Sequence, residues 1–273
     1  MMNEVMCKLA SGYALECAAL YELLAPLPDV SWERATQFKQ WTPNDILAHL
    51  LFFDTAAYLA LRDETALTEM FSQLRAAVTA GTASLAFAHQ WLGNLRGLAL
   101  LTRWREQNLR LAQEYSQADP KRRVKWAGPD MSVRSSLSAR LMEIWAHAQA
   151  VYDLLGRSRV EGDYLRNIAE LGINTYRWSF SNRGLPVPET QPFLRLTAPS
   201  GAVWEWESDA SGERIEGSAS EFCQVVAQTR NVADTSLRVE GDNARRWMAI
   251  AQCFAGVPRD PPPPGVRFCQ SSA

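Results

Sequence analysis

Residues 132–156 read SVRSSLSARLMEIWAHAQAVYDLLG, and their periodicity predicts one long amphipathic helix. Val133, Leu137, Leu141, Ile144, Ala148, Val151 and Leu155 recur at three- and four-residue steps, which gathers them on one face. Asp130 or Ser132 is placed to cap its start and Gly156 its end. Inside it stands Glu143-Ile144-Trp145-Ala146-His147. A carboxylate and an imidazole four residues apart are neighbours on a helix, about 5–6 Å between Cβ atoms. At about 100° per residue, both fall at one edge of the apolar stripe, neither at its centre nor on the solvated side. That is where a metal site between helices takes its ligands. Taken alone, such a pair is more often a surface contact.

A second stretch, WTPNDILAHLLFFDTAAYLAL from Trp41 to Leu61, strengthens the metal reading. Thr42 is a plausible N-cap, Pro43 suits the first helical position, and Asp45 sits where a capping box wants a carboxylate. His49 falls beside Ile46, Leu50 and Phe53 on the inward half of that helix. The chain has three histidines, His49, His89 and His147, and two of them lie at core margins of amphipathic helices. His49, Glu143 and His147 together offer two imidazoles and a carboxylate. This set leaves coordination positions open on Zn²⁺, the first choice, or on Fe²⁺ or Ni²⁺. His89, near Trp91, reads as a core-edge or exposed histidine rather than a ligand.

These residues carry a family resemblance. WTPNDILAHLLFFDTAA and ARLMEIWAHAQAVYDLLG resemble the two metal-ligand helices of the DinB-like superfamily. They are most similar to the branch that holds mycothiol-dependent maleylpyruvate isomerase and uncharacterised bacterial relatives. In that branch the ligands are a His on the second helix and a Glu-x-x-x-His pair on a later one, which fall on His49, Glu143 and His147. The runs INTYRWSFSNRGLPVP, FLRLTAPSGAVWEWE and RRWMAIAQCFAG resemble the second domain of the same relatives, so the likeness covers most of the chain. The sequence departs from the pattern at Ala150, where relatives often carry Asp, and at Glu170, where they often carry His. Neither position is a ligand.

The fold class implied is α+β with two domains. A DinB-like four-helix bundle spans 1–160, a buttressing helix and linker 161–190, a small domain of mixed sheet plus helices 191–257, and a Pro-rich tail 258–273. The shift in pattern supports this division: FLRLTA, VWEWE and the run from Arg214 alternate with period two, separated by Ser200-Gly201 and Ser211-Gly212. Ser220 and Asp242 are placed to cap the two helices that follow. Arg183 to Pro188 reads as a proline-stiffened linker. Thr82 to Gln117 reads as containing a long helix with Gly93 and Gly97 marking a kink or close packing, and Ala118 to Asp130 as a basic loop.

Composition limits the function classes. Hydrophobic residues make up 47% and charged residues 21% of 273, enough for a substantial core. A net charge of −2 gives no electrostatic reason to expect nucleic acid or an anionic membrane as partner. No apolar run approaches the roughly 18 residues of a membrane span. The five cysteines are odd in number and lack metal-type spacing, which reads as reduced thiols in a cytoplasmic protein. The N-terminal segment reads as a helix rather than a signal peptide.

The leading expectation is a divalent-metal-dependent enzyme acting on a small organic molecule. The resemblance implies an isomerase or transferase using a low-molecular-weight thiol. A thiol-independent Lewis-acid enzyme catalysing hydrolysis, hydration, elimination or rearrangement is the alternative. A non-catalytic metal- or ligand-binding protein is the third reading. A small-molecule substrate is the expected partner, and a homodimer is compatible with it. Arg140, one turn before Glu143, is the candidate catalytic residue, either paired with Glu143 or holding a substrate carboxylate. Asp45 is placed to cap its helix or to orient His49. Trp41 and Trp145 are placed to wall the pocket or to fill the core.

Overall fold

The computed structural model describes residues 4–208 and 211–270. The chain divides into two units, Met1–Leu154 and Leu155–Ala273. The first is helical: α1 (Glu4–Leu24), α2 (Pro43–Arg62), α3 (Glu64–Thr79), α4 (Ser84–Trp91), α5 (Gly97–Gln117) and α6 (Val133–Leu155). A two-stranded antiparallel ribbon, β1 (Arg123–Val124) and β2 (Met131–Ser132), precedes α6. Part of the expected basic loop is therefore a hairpin, and its Trp126 packs edge-on against Phe71, ring centroids 5.6 Å apart.

Four long helices carry the core. Asn44 accepts the Gly97 amide, Trp104 bonds Asp54, and Arg62 pairs with Glu114, so α2 and α5 run parallel. The Cys7 thiol reaches the Ser116 carbonyl while Arg105 covers the Tyr21 ring, so α1 runs antiparallel to α5. Tyr13, Leu20, Leu50, Phe52, Leu100, Trp104, Leu137 and Trp145 are fully buried or nearly so. Each large apolar side chain taken from water contributes about 1.5–3 kcal/mol, so the unit holds a core independent of any ion.

The stretch from Thr82 to Gln117 contains the expected long helix, α5, but at Gly93 to Gly97 the chain breaks between α4 and α5 rather than kinking. Gly93, Asn94 and Gly97 all adopt left-handed backbone conformations, with φ of 67°, 55° and 55°. Three such residues within five positions cannot be absorbed by a kink. The Gly97 amide is received by Asn44 Oδ1 at 2.7 Å, and the same Asn44 donates to the Trp32 carbonyl and to Glu33. One buried amide thereby ties the short 3₁₀ turn Asp29–Glu33 and the starts of α2 and α5.

The second unit contains α7 (Leu165–Asn174), α8 (Tyr176–Ser181), β3 (Phe193–Thr197), β4 (Val203–Trp206), β5 (Arg214–Ser218), α9 (Ala219–Val226), β6 (Arg238–Glu240) and α10 (Asp242–Ile250). The sheet order is β4-β3-β5-β6, with β3 and β5 parallel and the outer pairs antiparallel. The expected alternation holds on β4, where Trp204 is buried and Val203 and Glu205 are exposed. The Ser218 side chain, rather than Ser220, caps α9 by accepting the Ser220 amide. At α10 the cap is Gly241, with φ 88°, while the Glu213 carboxylate accepts the Asn243 and Ala244 amides. A side chain on Gly241 would collide with that carboxylate.

The helix over 164–176 was expected to buttress the bundle, with the boundary after it. Instead the division falls at Leu154–Leu155, and α7 and α8 pack on α9 and α10. The reason lies in α7 itself: Leu165, Ile168, Ala169 and Ile173 form its buried face. Gly172 on that face leaves room for Val226 of α9, whose Cγ2 would lie 2.8 Å from any added Cβ.

Candidate metal centre

The local sequence sets α2 firmly. Thr42 Oγ1 accepts the Asp45 amide at 3.2 Å, and Asp45 Oδ2 accepts the Thr42 amide at 2.9 Å. This reciprocal box, with Pro43 behind it, starts the helix two turns before His49. Asp45 also receives His89 Nε2 at 2.7 Å. Asp45 is thus a capping residue bound to His89, and His89 lies in a polar contact at the core edge. On α6, Ser132 Oγ accepts the Ser135 amide at 3.1 Å, and Gly156 turns the chain out with φ 62°. Asp130 pairs with Lys125 instead.

The side chains of His49, Glu143 and His147 converge. Glu143 Oε2 lies 3.1 Å from His49 Nε2 and 3.2 Å from His147 Nε2, and one donor atom from each residue falls within 4.8 Å of the others. Two donors bound to one ion at about 2.0–2.2 Å sit ~3.0–3.5 Å apart at tetrahedral or octahedral angles. Both Glu143 distances fall within that span, and the donor set suits a divalent cation. The three side chains are 19%, 26% and 12% exposed, which places the cluster at the margin of the core.

The electrostatics follow from that position. Burial pushes His49 down to about 4, and the neighbouring His147 adds to the effect against the pull of Glu143. Burial opposes charge on Glu143 as well, but hydrogen bonds from His147 and His49 prevail and hold its carboxyl well below the usual range. An ionised carboxylate only accepts hydrogen bonds, so each imidazole presents an N–H to the shared oxygen. A neutral His49 and an ionised Glu143 are the protonation states a metal requires of these groups.

Aromatic rings frame the cluster. Trp41 stacks on His147 with planes 7° apart and centroids at 5.6 Å, Phe38 meets the same imidazole edge-on at 5.1 Å, and Phe53 lies 4.9 Å from His49. Trp41 is therefore a wall of the site, whereas Trp145 is fully buried in the core. Phe38 was not foreseen from the sequence. It is held by a tight loop in which Thr36 N–H reaches the Trp41 carbonyl and Trp41 N–H reaches Phe38, each at 2.9 Å. Lys39 and Gln40 between them are left-handed, φ 52° and 58°, a conformation that costs non-glycine residues roughly 1–2 kcal/mol each.

Arg140 is paired with Asp54 rather than with Glu143. It is 3% exposed, and its Nε donates to Asp54 Oδ1 at 3.0 Å, while Asp54 Oδ2 accepts Trp104 Nε1 at 3.1 Å. Burial pushes the Asp54 carboxyl up, opposed by Arg140, Tyr13 and Trp104. The guanidinium is a core group paired across helices, neither bonded to Glu143 nor on the bundle surface. A signal for this was present: Asp54 is a lone carboxylate within the apolar run LLFFDTAAYLAL, and a buried carboxylate needs a partner.

Residues 13–152 match the family described as the mycothiol maleylpyruvate isomerase N-terminal domain, a segment that contains His49, Asp54, Arg140, Glu143 and His147. Over 238 residues the chain is 38% identical to uncharacterised proteins of Mycobacterium tuberculosis strains H37Rv and CDC 1551, covering 86% of this chain and 91% of each relative. Crystal structures of mycothiol-dependent maleylpyruvate isomerase and of a mutant of it share the fold. Their TM-score is 0.53 at 16% identity, covering 82% of this chain and 89% of theirs. No helix among the described residues is long and apolar enough to cross a membrane. On the matched segment and on the extent of identity, the chain belongs to the mycothiol maleylpyruvate isomerase N-terminal domain family.

Proposed function

We propose that this protein is a divalent-metal-dependent enzyme acting on a small organic molecule. A low-molecular-weight thiol serves as co-substrate, in an isomerase or thiol-transferase reaction. The carrying observation is the convergence of His49, Glu143 and His147 within 4.8 Å, in a chain whose family and fold are those of a mycothiol-dependent isomerase. These three side chains are the ligands, with zinc as first choice and iron or nickel as alternatives. A closed structural zinc site normally has four protein ligands, mostly Cys; three without a Cys leave a position for an exchangeable group. When bound, the ion supplies Lewis acidity and a lowered pKa for a thiol or water on that position.

The chain's own residues prepare the site. Glu143 holds negative charge between the imidazoles, and Trp41 and Phe38 fix the His147 ring and limit water around it. None of the five cysteines is in a disulfide, which supports a reducing, cytoplasmic setting.

The test is elemental analysis of the purified protein, followed by turnover of maleylpyruvate and related unsaturated acids with and without added mycothiol. Glu143→Ala and His147→Ala should lower metal affinity more than about 100-fold, beyond the ~10–100-fold carried by residues that only orient ligands. They should abolish turnover while the metal-free protein still unfolds cooperatively. Metal-dependent turnover that ignores the thiol would replace this reading with the Lewis-acid alternative. A bound ion with no exchangeable position would reduce the protein to a metal-binding one.

A further inference from the structure

We propose that the buried Asp54–Arg140 pair sets the register of the two ligand-bearing helices. Both are then positioning residues for the His49–Glu143–His147 centre, an inference that rests on the metal reading above. Asp54 follows His49 by five residues on α2, and Arg140 precedes Glu143 by three on α6. As α6 advances from Arg140 to Glu143, its partners on α2 step back from Asp54 to His49. The helices are therefore antiparallel, joined by two polar contacts at different heights. One is the Arg140 Nε–Asp54 Oδ1 bond of 3.0 Å. The other is the candidate ligand cluster.

A one-residue slip of α6 along α2 moves its side chains by about 1.5 Å and turns them about 100°. Metal–ligand distances tolerate only about 0.2 Å. Burial of the apolar face of α6 opposes a turn of that size, but apolar contact is non-directional and does not fix positions to about 0.2 Å. A guanidinium bonded to one carboxylate oxygen adds a directional constraint on height and rotation. The other Asp54 oxygen is held by Trp104 of α5, so the anchor is itself fixed to a third helix.

Stability does not explain the pair. Asp54 is 0% and Arg140 3% exposed, and replacing a buried ion pair with well-packed apolar residues is often neutral or stabilising. Arg140 Nη2 has no hydrogen-bond partner among the described residues, so the pair is not even fully satisfied. What distinguishes it is its place: it links the two helices that bring the ligands together, and the Arg140 charge acts on both Glu143 and His49.

The experiment uses Co²⁺ as probe on the full chain, reading affinity and the visible absorption band, with thermal unfolding of the metal-free protein alongside. The double variant Asp54→Leu/Arg140→Met removes the pair without stranding a charge. It should unfold within a few degrees of wild type, bind Co²⁺ about tenfold or more weakly, as for residues that orient ligands, and show an altered band. Wild-type affinity and band in the folded double variant would overturn the proposal and leave the metal reading standing. If the double variant does not fold, Arg140→Lys decides. It keeps the charge but loses the planar fork, and wild-type affinity and band in that variant would likewise overturn the proposal. A wild-type protein that binds no Co²⁺ overturns the metal reading first, and this inference with it.

Discussion

Two polar clusters bridge the same pair of helices, and they differ in how completely each is closed. Asp54 and Arg140 compensate each other's charge in the core, at 0% and 3% exposure. His49, Glu143 and His147 lie at the margin, at 12–26% side-chain exposure, with one carboxylate oxygen shared by two imidazoles. The deeper cluster holds two opposite charges and a tryptophan donor around one carboxylate. The outer one crowds two imidazoles onto a single oxygen, a poorer arrangement for hydrogen bonds and a better one for a cation. A carboxylate in a helical core thus takes its role from the group opposite it: a guanidinium makes it an anchor, imidazoles make it a ligand set.

The contrast can be broken most sharply by unpairing the inner cluster. Asp54→Ala or Arg140→Ala leaves an uncompensated buried charge and should cost about 3–5 kcal/mol in chemical denaturation. A loss below about 1 kcal/mol, the scale of exposed pairs, would mean that water reaches the pair and that the two clusters are alike.

The outer cluster should reveal itself through pH. Burial and His147 hold the His49 pKa near 4 in the folded metal-free protein, against 6.5 as the ordinary value. Between those values the unfolded chain binds a proton that the folded one does not, so stability falls as pH drops from 6.5 towards 4. Glu143 acts in the same sense: its depressed pKa contributes stability that is present above the ordinary carboxylate range and lost as pH falls. At about 1.4 kcal/mol per pH unit, the His49 effect is on the order of 1–3 kcal/mol. Thermal unfolding of wild type and His49→Gln across this range measures it, and parallel curves for the two proteins would remove His49 as the cause.

The smallest effect concerns the aromatic wall. Trp41→Ala removes the ring stacked on His147. Beyond its lost area this should cost about 0.5–1.5 kcal/mol and weaken metal binding by a similar amount. Trp41→Phe should recover most of it. Equal metal affinity in all three proteins would limit Trp41 to packing.

Much of this was legible in the chain. The 3.6-residue period of SVRSSLSARLMEIWAHAQAVYDLLG put Glu143 and His147 on one edge of α6, and Thr42-Pro43-Asn44-Asp45 announced the start of α2. Period-two alternation marked β3 and β4. These features depend on local geometry, which a short window of sequence contains. The break at Gly93 to Gly97 was less legible, because glycine is also tolerated within a helix and only its φ tells the two apart.

By itself, then, the sequence determined which side chains stand at the inner edges of α2 and α6, and so which residues were available to bind a metal. The tertiary structure decided the rest: that Arg140 meets Asp54, 86 residues away, rather than Glu143 beside it; that Phe38 packs on His147; and that α7 belongs with α9. The physical reason is that periodicity states which face of a helix is buried but not what it is buried against. A buried charge takes whichever partner removes it from water at least cost, and that choice exists only once the helices have packed.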